Sequence, residues 1–303
     1  MTRSGLIAGI ETGGTKTIAA VAHPERPAAV LETLEIATTT PREVGDRLRA
    51  FLGDVSHVGV AAFGPLDLDP ASPTYRCITA TPKPRWAGTR IADLLPPGAR
   101  FVLVSDVTGA AVAEHAYGAT AGLADAAYVT VGTGVGVGAV VDGAAFTRRA
   151  HPELGHMAVR RHGSDRFDGV CPFHGDCLEG LASGPAVAAR WGRPTTALHE
   201  DLTAAVGLEA FYLGQLVATV TYAYRPDRVT LGGGVLKIPG LLDAVRGTAV
   251  REIAGALGPT HPSRMPESVL VTPTLGDLAG VTGALTLAAT LRAEGPLPLR
   301  TGR

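Results

Sequence analysis

The sequence predicts two α/β domains built on a duplicated unit, and three observations point there. Apolar strand-like runs alternate with helical periods along the whole chain. A strand, a Gly/Thr turn and a second strand occur near the start, over Leu6–Ala22, and again about 120 residues later, over Tyr128–Val141. A length of 303 residues also suits about two domains.

The elements follow in order. Leu6–Ile10 reads as a strand, Glu11–Lys16 as a polar turn and Thr17–Ala22 as a second strand, with a third over Val30–Thr38. Arg42–Phe51 is predicted helical because Val44, Leu48 and Phe51 recur three or four residues apart. His57–Phe63 is a buried strand that stops at Gly64-Pro65. Phe101–Ser105 is another strand, and Asp106–Tyr117 an Ala-rich helix. The second half opens with strands Tyr128–Val131 and Val135–Val141 around Gly132-Thr133-Gly134. Helices are expected over Leu178–Trp191, Leu208–Tyr224, Leu241–Leu257 and Leu278–Leu291, the last with Asp277 as N-cap. Short strands are expected at Arg228–Leu231 and Val269–Val271. The small, flexible stretch Gly118–Asp125 is the expected boundary, giving domains 1–120 and 121–303 with a cleft between them. The final helix, about 277–292, is expected to pack back on the first domain.

Composition narrows the function. With 27 basic and 28 acidic residues, the chain has no electrostatic case for nucleic acid or an acidic membrane. Aromatics at 5% also argue against base stacking. The uncharged apolar run Tyr128–Val141 has 14 residues, whereas a membrane span needs roughly 18 or more. Leu6–Ile10 is too short for a signal-peptide core. Three cysteines do not make a secreted disulfide scaffold. A cytoplasmic protein is the expectation.

The densest chemistry lies between Glu153 and Glu179. His156, Cys171, His174 and Cys177 offer two imidazoles and two thiols, the set that closes a structural zinc site. Two residues separate Cys171 from His174, and two separate His174 from Cys177, so one tight loop can present three ligands. The alternatives are a Cys171–Cys177 disulfide or unrelated core histidines, with His151 and His162 as substitute ligands. Glu153 and Glu179 flank this loop, are not needed by a metal, and suit the hydroxyls of a sugar.

Three glycine turns are candidate phosphate cradles, since glycine lets backbone N–H groups approach oxygens closely. Gly13-Gly14-Thr15-Lys16 adds a hydroxyl donor, but a strand follows it where a P-loop needs a helix. Gly132-Thr133-Gly134 and Gly232-Gly233-Gly234 are similar turns at strand ends. Each alone could be an ordinary connection; together they favour a nucleotide site. Asp106 closes one strand and opens a helix, so it is either an N-cap or a base for a substrate hydroxyl. An ordinary aspartate is a weak base, and a helix N-terminus lowers its pKa further. That matters less in phosphoryl transfer, which depends mainly on positioning and charge stabilisation.

These residues together resemble the ROK family of sugar kinases, and within it the bacterial fructokinase branch. The likeness runs from Gly9-Ile10-Glu11-Thr12-Gly13-Gly14-Thr15-Lys16 to Leu275-Gly276-Asp277-Leu278-Ala279-Gly280 and on to Leu285. It includes Phe63-Gly64-Pro65-Leu66-Asp67, Thr81-Pro82-Lys83-Pro84-Arg85-Trp86 and the Cys-x2-His-x2-Cys form of the metal loop. The resemblance implies an actin-like, ribonuclease-H-type pair of domains hinged around an ATP cleft, with a zinc-binding insertion over 151–179. It implies that Gly13, Gly14, Thr15 and Lys16 form the first phosphate loop and Thr133 and Gly134 the second, with Gly232, Gly233 and Gly234 at the adenosine. Asp106 is the implied catalytic base. Gly64, Pro65, Asp106, Glu153, His156 and Glu179 are the implied sugar contacts, with His156 also a zinc ligand. Mg²⁺, ATP and Zn²⁺ are the implied cofactors, D-fructose the substrate and a homodimer the assembly.

Two positions depart from the wider family pattern. Glu11 stands where Asp is common, and Thr108 where Asn often follows Asp106-Val107. Thr lacks the paired donor and acceptor of an amide, so sugar preference could shift to mannose, glucose or N-acetylmannosamine. A non-catalytic sugar-binding regulator is the alternative from another class. A DNA-binding version is expected to need a helix-turn-helix before Leu6.

Overall fold

A computed structural model describes residues 3–147, 149–258, 266–293 and 299–301. The chain begins with strands β1 (Ile7–Thr12), β2 (Lys16–Ala22) and β3 (Val30–Ala37), helix α1 (Pro41–Leu52), strands β4 (His57–Ala62) and β5 (Arg100–Ser105), and helix α2 (Asp106–Tyr117). Strands β6 (Ala126–Val131), β7 (Val135–Val141) and β8 (Ala144–Thr147) follow, then helices α3 (Leu178–Ala182), α4 (Gly184–Trp191) and α5 (Leu202–Tyr224). The rest is β9 (Arg228–Gly232), α6 (Leu241–Ile253), α7 (Pro266–Val269), β10 (Leu270–Val271), α8 (Ala279–Arg292) and β11 (Leu299–Thr301).

The chain divides into two compact units. One comprises Met1–Gly122, Gly138–His151 and Thr274–Arg303; the other comprises Leu123–Val137 and Pro152–Pro273. The duplication is explicit in the strand orders. The first sheet runs β3-β2-β1-β4-β5, and the second runs β10-β9-β6-β7-β8 with β11 added beyond β8. Read from β8, the second sheet repeats the order of the first. In the first sheet β1 pairs with β2 antiparallel and with β4 parallel, and β4 pairs with β5 parallel. In the second, β7 pairs with β8 antiparallel, while β6 with β9 and β9 with β10 are parallel.

Within the first unit, α1 has the expected apolar stripe, with Val44, Leu48 and Leu52 buried. Thr40 caps it by accepting the Glu43 amide at 3.3 Å, and Pro41 occupies the first turn. Helix α8 packs on β1, β4 and α2, which fall in the same unit. That packing needs missing side chains. A Cβ at Gly59 would lie 1.8 Å from the Ala284 carbonyl oxygen, and one at Gly283 would lie 1.8 Å from that of Gly109. The expected cap of α8 is corrected here. Asp277 lies in a 3-10 turn over Gly276–Leu278, and Leu278 holds the cap position with no side-chain bond.

Within the second unit, α5 is apolar on nearly every face because it is the core helix; Tyr212, Leu213, Leu216 and Val220 are fully buried. Its length and composition would also suit a membrane span, but burial inside the unit accounts for them. Helix α6 stops at Ile253, short of the expected Leu257, where Ala254 and Gly255 take left-handed φ angles. The segment after His156 is anchored to α4 and α5 by a buried polar cluster. Asp165 accepts from Tyr212 Oη at 2.6 Å and pairs with Arg190 at 3.1 Å, and Arg190 also meets Glu209 at 3.3 Å. Burial pushes the Glu209 carboxyl well above its ordinary range, and the Arg190 charge only partly opposes that.

Candidate active site

In the first unit the β1–β2 hairpin carries Gly13-Gly14-Thr15. The Gly13 amide donates to the Lys16 carbonyl at 2.9 Å, and Thr38 Oγ1 donates to the Gly13 carbonyl at 2.8 Å. Thr38 in turn meets Thr17 Oγ1 at 2.9 Å, so a buried hydroxyl pair braces the turn from below. Lys16 is exposed and lies 3.6 Å from Glu35 on β3.

Asp106 is the first residue of α2, but it is not the cap. Ser105 is: its Oγ accepts the Thr108 amide at 3.2 Å. The N-cap alternative for Asp106 is therefore corrected by a hydroxyl one residue earlier. Asp106 Oδ1 accepts the Val107 amide at 2.8 Å, and the residue is half-buried. Thr108 is buried and its hydroxyl meets Ser105 Oγ at 2.8 Å. Its hydroxyl thus belongs to the helix cap.

Glu11 gains a role that its position as a family departure did not suggest. Its Oε2 accepts the Val281 amide at 3.1 Å, in the first turn of α8, which has no cap of its own. Gly280 makes room for it; a Cβ there would lie 2.4 Å from the carboxyl carbon. Burial first, and the Asp106 charge second, push the Glu11 carboxyl up to about 7 from an ordinary 4.5. A raised carboxyl pKa means that the folded chain holds a proton the unfolded chain has released. The resulting contribution to stability is full below about 4.5 and is lost as pH rises through about 7. In Glu11→Gln, the fall in melting temperature across that window is expected to flatten relative to wild type. Parallel melting curves for the two proteins would reject this.

Gly64 and Pro65 follow β4 through a cis peptide bond. The Thr79 amide donates to the Pro65 carbonyl at 2.8 Å. The ring of His151 packs on Gly64, where a Cβ would lie 2.3 Å from it. His151 is thus part of this turn. Glu114, absent from the sequence expectations, is buried and receives the amides of Ala119, Thr274 and Leu275 at 2.7, 2.8 and 2.8 Å. A lone Glu on an Ala-rich helix gives no sequence signal for such a cluster.

In the second unit, His156, Cys171, His174 and Cys177 converge. One ligand atom from each lies within 4.8 Å of the others. His156 Nδ1 is 3.6 Å from both sulfurs, and His174 Nδ1 is 3.7 Å from Cys171 Sγ. A tetrahedron with Zn–S of ~2.3 Å and Zn–N of ~2.0–2.1 Å has an S–N edge of about 3.6 Å, so the spacing fits zinc. All three cysteines are free, which removes the disulfide alternative. Burial, with Cys171 as a further cause, pushes the Cys177 thiol up to about 11, a state that a cation among the ligands would reverse. His162 instead meets Ser164 at 2.8 Å and packs edge-to-face against Phe211. Backbone bonds in both directions between Cys171 and Gly175, at 3.1 and 2.9 Å, close the loop, and Gly175 supplies the left-handed φ of 70°.

Glu153 is exposed, and its carbonyl accepts the His156 amide at 3.0 Å. Glu179 is half-buried in α3 and reaches the β6–β7 turn, where its Oε2 accepts the Val135 amide at 2.9 Å. Inside that turn the Gly132 amide donates to the Gly134 carbonyl at 2.8 Å, while Thr133 is exposed. The third turn leaves β9 through buried Gly232. Gly233 has φ 99°, and a Cβ on it would lie 2.3 Å from the Val131 carbonyl.

One glycine in each turn has a different standing. Gly14, Gly132 and Gly234 have no left-handed φ, and a Cβ on any of them would meet nothing within 4 Å among the described residues. Neither backbone conformation nor packing within the chain requires glycine there. A group approaching from outside the chain, such as a phosphate against backbone amides, would supply a reason for them.

The ROK family profile matches residues 7–291. The chain belongs to the ROK family. It is 39% identical over 294 residues to a fructokinase of Zymomonas mobilis, covering 92% of this chain and 95% of the relative. A fructokinase of Streptococcus mutans is 33% identical over 301 residues, covering 96% and 100%. Among solved structures, the ROK hexokinase of Thermus thermophilus matches with a TM-score of 0.71 at 27% identity, covering 95% and 99%. These matches to ROK sugar kinases agree with the duplicated sheet order and support the actin-like ATPase fold.

Proposed function

We propose that this ROK protein is an ATP-dependent fructokinase that phosphorylates the 6-hydroxyl of D-fructose. The observation that carries the substrate is the similarity to fructokinases of two bacteria over nearly the whole chain, at 33 and 39% identity.

MgATP is the phosphoryl donor. The sugar O6 attacks the γ-phosphorus, the bond to the bridging oxygen breaks and ADP leaves. Asp106 takes the O6 proton and later releases it to solvent. Because Ser105 caps α2, this role does not compete with holding the helix. The amides around Gly14 and Gly132 stabilise charge on the phosphate oxygens, and Gly232–Gly234 borders the adenosine. Glu153, His156 and Glu179 accept and donate hydrogen bonds at the sugar hydroxyls, with Gly64 and Pro65 as further contacts.

Zinc at His156, Cys171, His174 and Cys177 is structural in this reading. Four protein ligands leave no position for a hydrolytic water. Free thiols and a thiolate site suit a reducing compartment, which supports a cytoplasmic location. Family resemblance is the support for a homodimer.

A panel of hexoses assayed with MgATP tests the reading. Fructose is expected to give the highest kcat/KM, with phosphate on O6 by NMR. A tenfold preference (about 1.4 kcal/mol in transition-state binding) for mannose, glucose or N-acetylmannosamine would reassign the substrate within the family. Sugar binding without ADP release would favour the non-catalytic alternative.

A further inference from the structure

We propose that Glu179 is a positioning residue for the Gly132–Gly134 turn, so that the metal-ligand loop shapes the nucleotide side of the site as well as the sugar side. This rests on the reading of that turn as a phosphate cradle.

Two chain segments deliver the inner metal ligands, and each grips the turn beside its ligand. Gly155 immediately precedes His156, and a Cβ on it would lie 2.1 Å from the Val135 carbonyl oxygen. Backbone therefore sits against backbone there. Glu179 follows Cys177 by two positions on α3, and Cys177 is the first-turn anchor of that helix, accepting the Leu181 amide at 3.1 Å. From that turn Glu179 Oε2 reaches the Val135 amide at 2.9 Å and lies over Gly134, where a Cβ would be 2.7 Å away. Beyond α3, at the start of α4, the Gly184 amide donates to the Gly132 carbonyl at 2.7 Å. The Val135 end of the turn is thus held by residues beside two metal ligands, and the Gly132 end by the start of α4. Leu178, Leu181 and Ala182 fix α3 in the core of the unit, and the metal would fix the segments that lead to Gly155 and into α3.

The two carboxylate oxygens divide the work. Oε2 is committed to Val135, which leaves Oε1 for a sugar hydroxyl. One side chain then connects the acceptor sugar to the cradle of the donor phosphates.

Calorimetry of the zinc-loaded protein with Mg-AMPPNP, in the absence of sugar, tests this. Glu179→Ala is expected to weaken the analogue about tenfold, the loss of one hydrogen bond to an ionised acceptor. Glu179→Gln keeps an oxygen acceptor for Val135 and should stay within about threefold of wild type. Asp176→Asn, an exposed change on the same loop that breaks only a surface pair with Arg161, should behave as wild type. Hydrogen exchange at the Val135 amide should quicken in Glu179→Ala and on removal of the metal. Unchanged analogue affinity in Glu179→Ala, with Val135 equally protected with and without metal, overturns the proposal alone. If wild type does not bind the analogue, the phosphate-cradle reading falls and takes the inference with it, whatever Val135 exchange shows.

Discussion

Asp106→Asn is expected to lower kcat by a factor of about 10²–10⁴ while nucleotide affinity changes little. Asn is nearly the same shape and keeps an oxygen to accept the Val107 amide, a bond of 2.8 Å in the wild type. The cap of α2 rests on Ser105, so the helix keeps its cap and loses only the negative charge at its N-terminus. What disappears is the group that takes the hydroxyl proton. The variant also removes a negative charge that helps to raise Glu11, so the acid limb of the stability profile should move towards the ordinary carboxyl range. Melting curves across pH, read beside turnover, separate a lost base from a damaged fold. Turnover within threefold of wild type would remove Asp106 from the mechanism.

Loss of the metal is the second large effect. The 171–177 loop buries only its two cysteines well; Pro172, Phe173, His174 and Asp176 are exposed. Apolar burial contributes little to ordering such a segment, and in the proposed reading the ion adds what the backbone bonds between Cys171 and Gly175 do not supply. In zinc-finger peptides a structural zinc contributes roughly 10–16 kcal/mol to folding. Here the rest of the second unit has its own core around Tyr212, Leu213 and Leu231. Cys177→Ser should therefore cost only part of that, with a melting temperature lower by about 5–10 °C. Bound zinc should fall from one per chain to near zero, and fructose binding should be lost with it. Because ligands must shed protons to bind, acidification should release the ion from wild type in the same way. A metal-free wild-type protein that melts normally and binds fructose would exclude a structural zinc at these residues.

How much of this was legible in the sequence differs by residue. The Cys/His cluster was readable because two cysteines and a histidine with two-residue gaps are rare by chance, and the structure brings one atom from each of the four candidate ligands together. The glycine turns were readable as turns. Helix α2 was predicted over the residues it occupies, since Ala-rich periodicity is a local property. The caps were not readable in the same way. Ser105 and Asp106 are both good capping residues, and which one turns towards the Thr108 amide depends on the backbone angles at the end of β5. Asp277 failed as a cap because a 3-10 turn precedes α8, and the carboxylate beside that helix start comes from Glu11, 270 positions away.

Local chemistry, which depends on neighbours a few residues apart, was therefore determined by the sequence alone: the alternation of strands and helices, the four-ligand loop and the position of a carboxylate at the head of α2. Tertiary structure decided the rest. It selected Glu11 as partner of α8, joined Glu179 to the Val135 amide, and left Gly14, Gly132 and Gly234 with open space where packing would otherwise explain a glycine. Those outcomes depend on which surfaces meet, and which do not, once the sheets are formed, and no spacing along the chain encodes that.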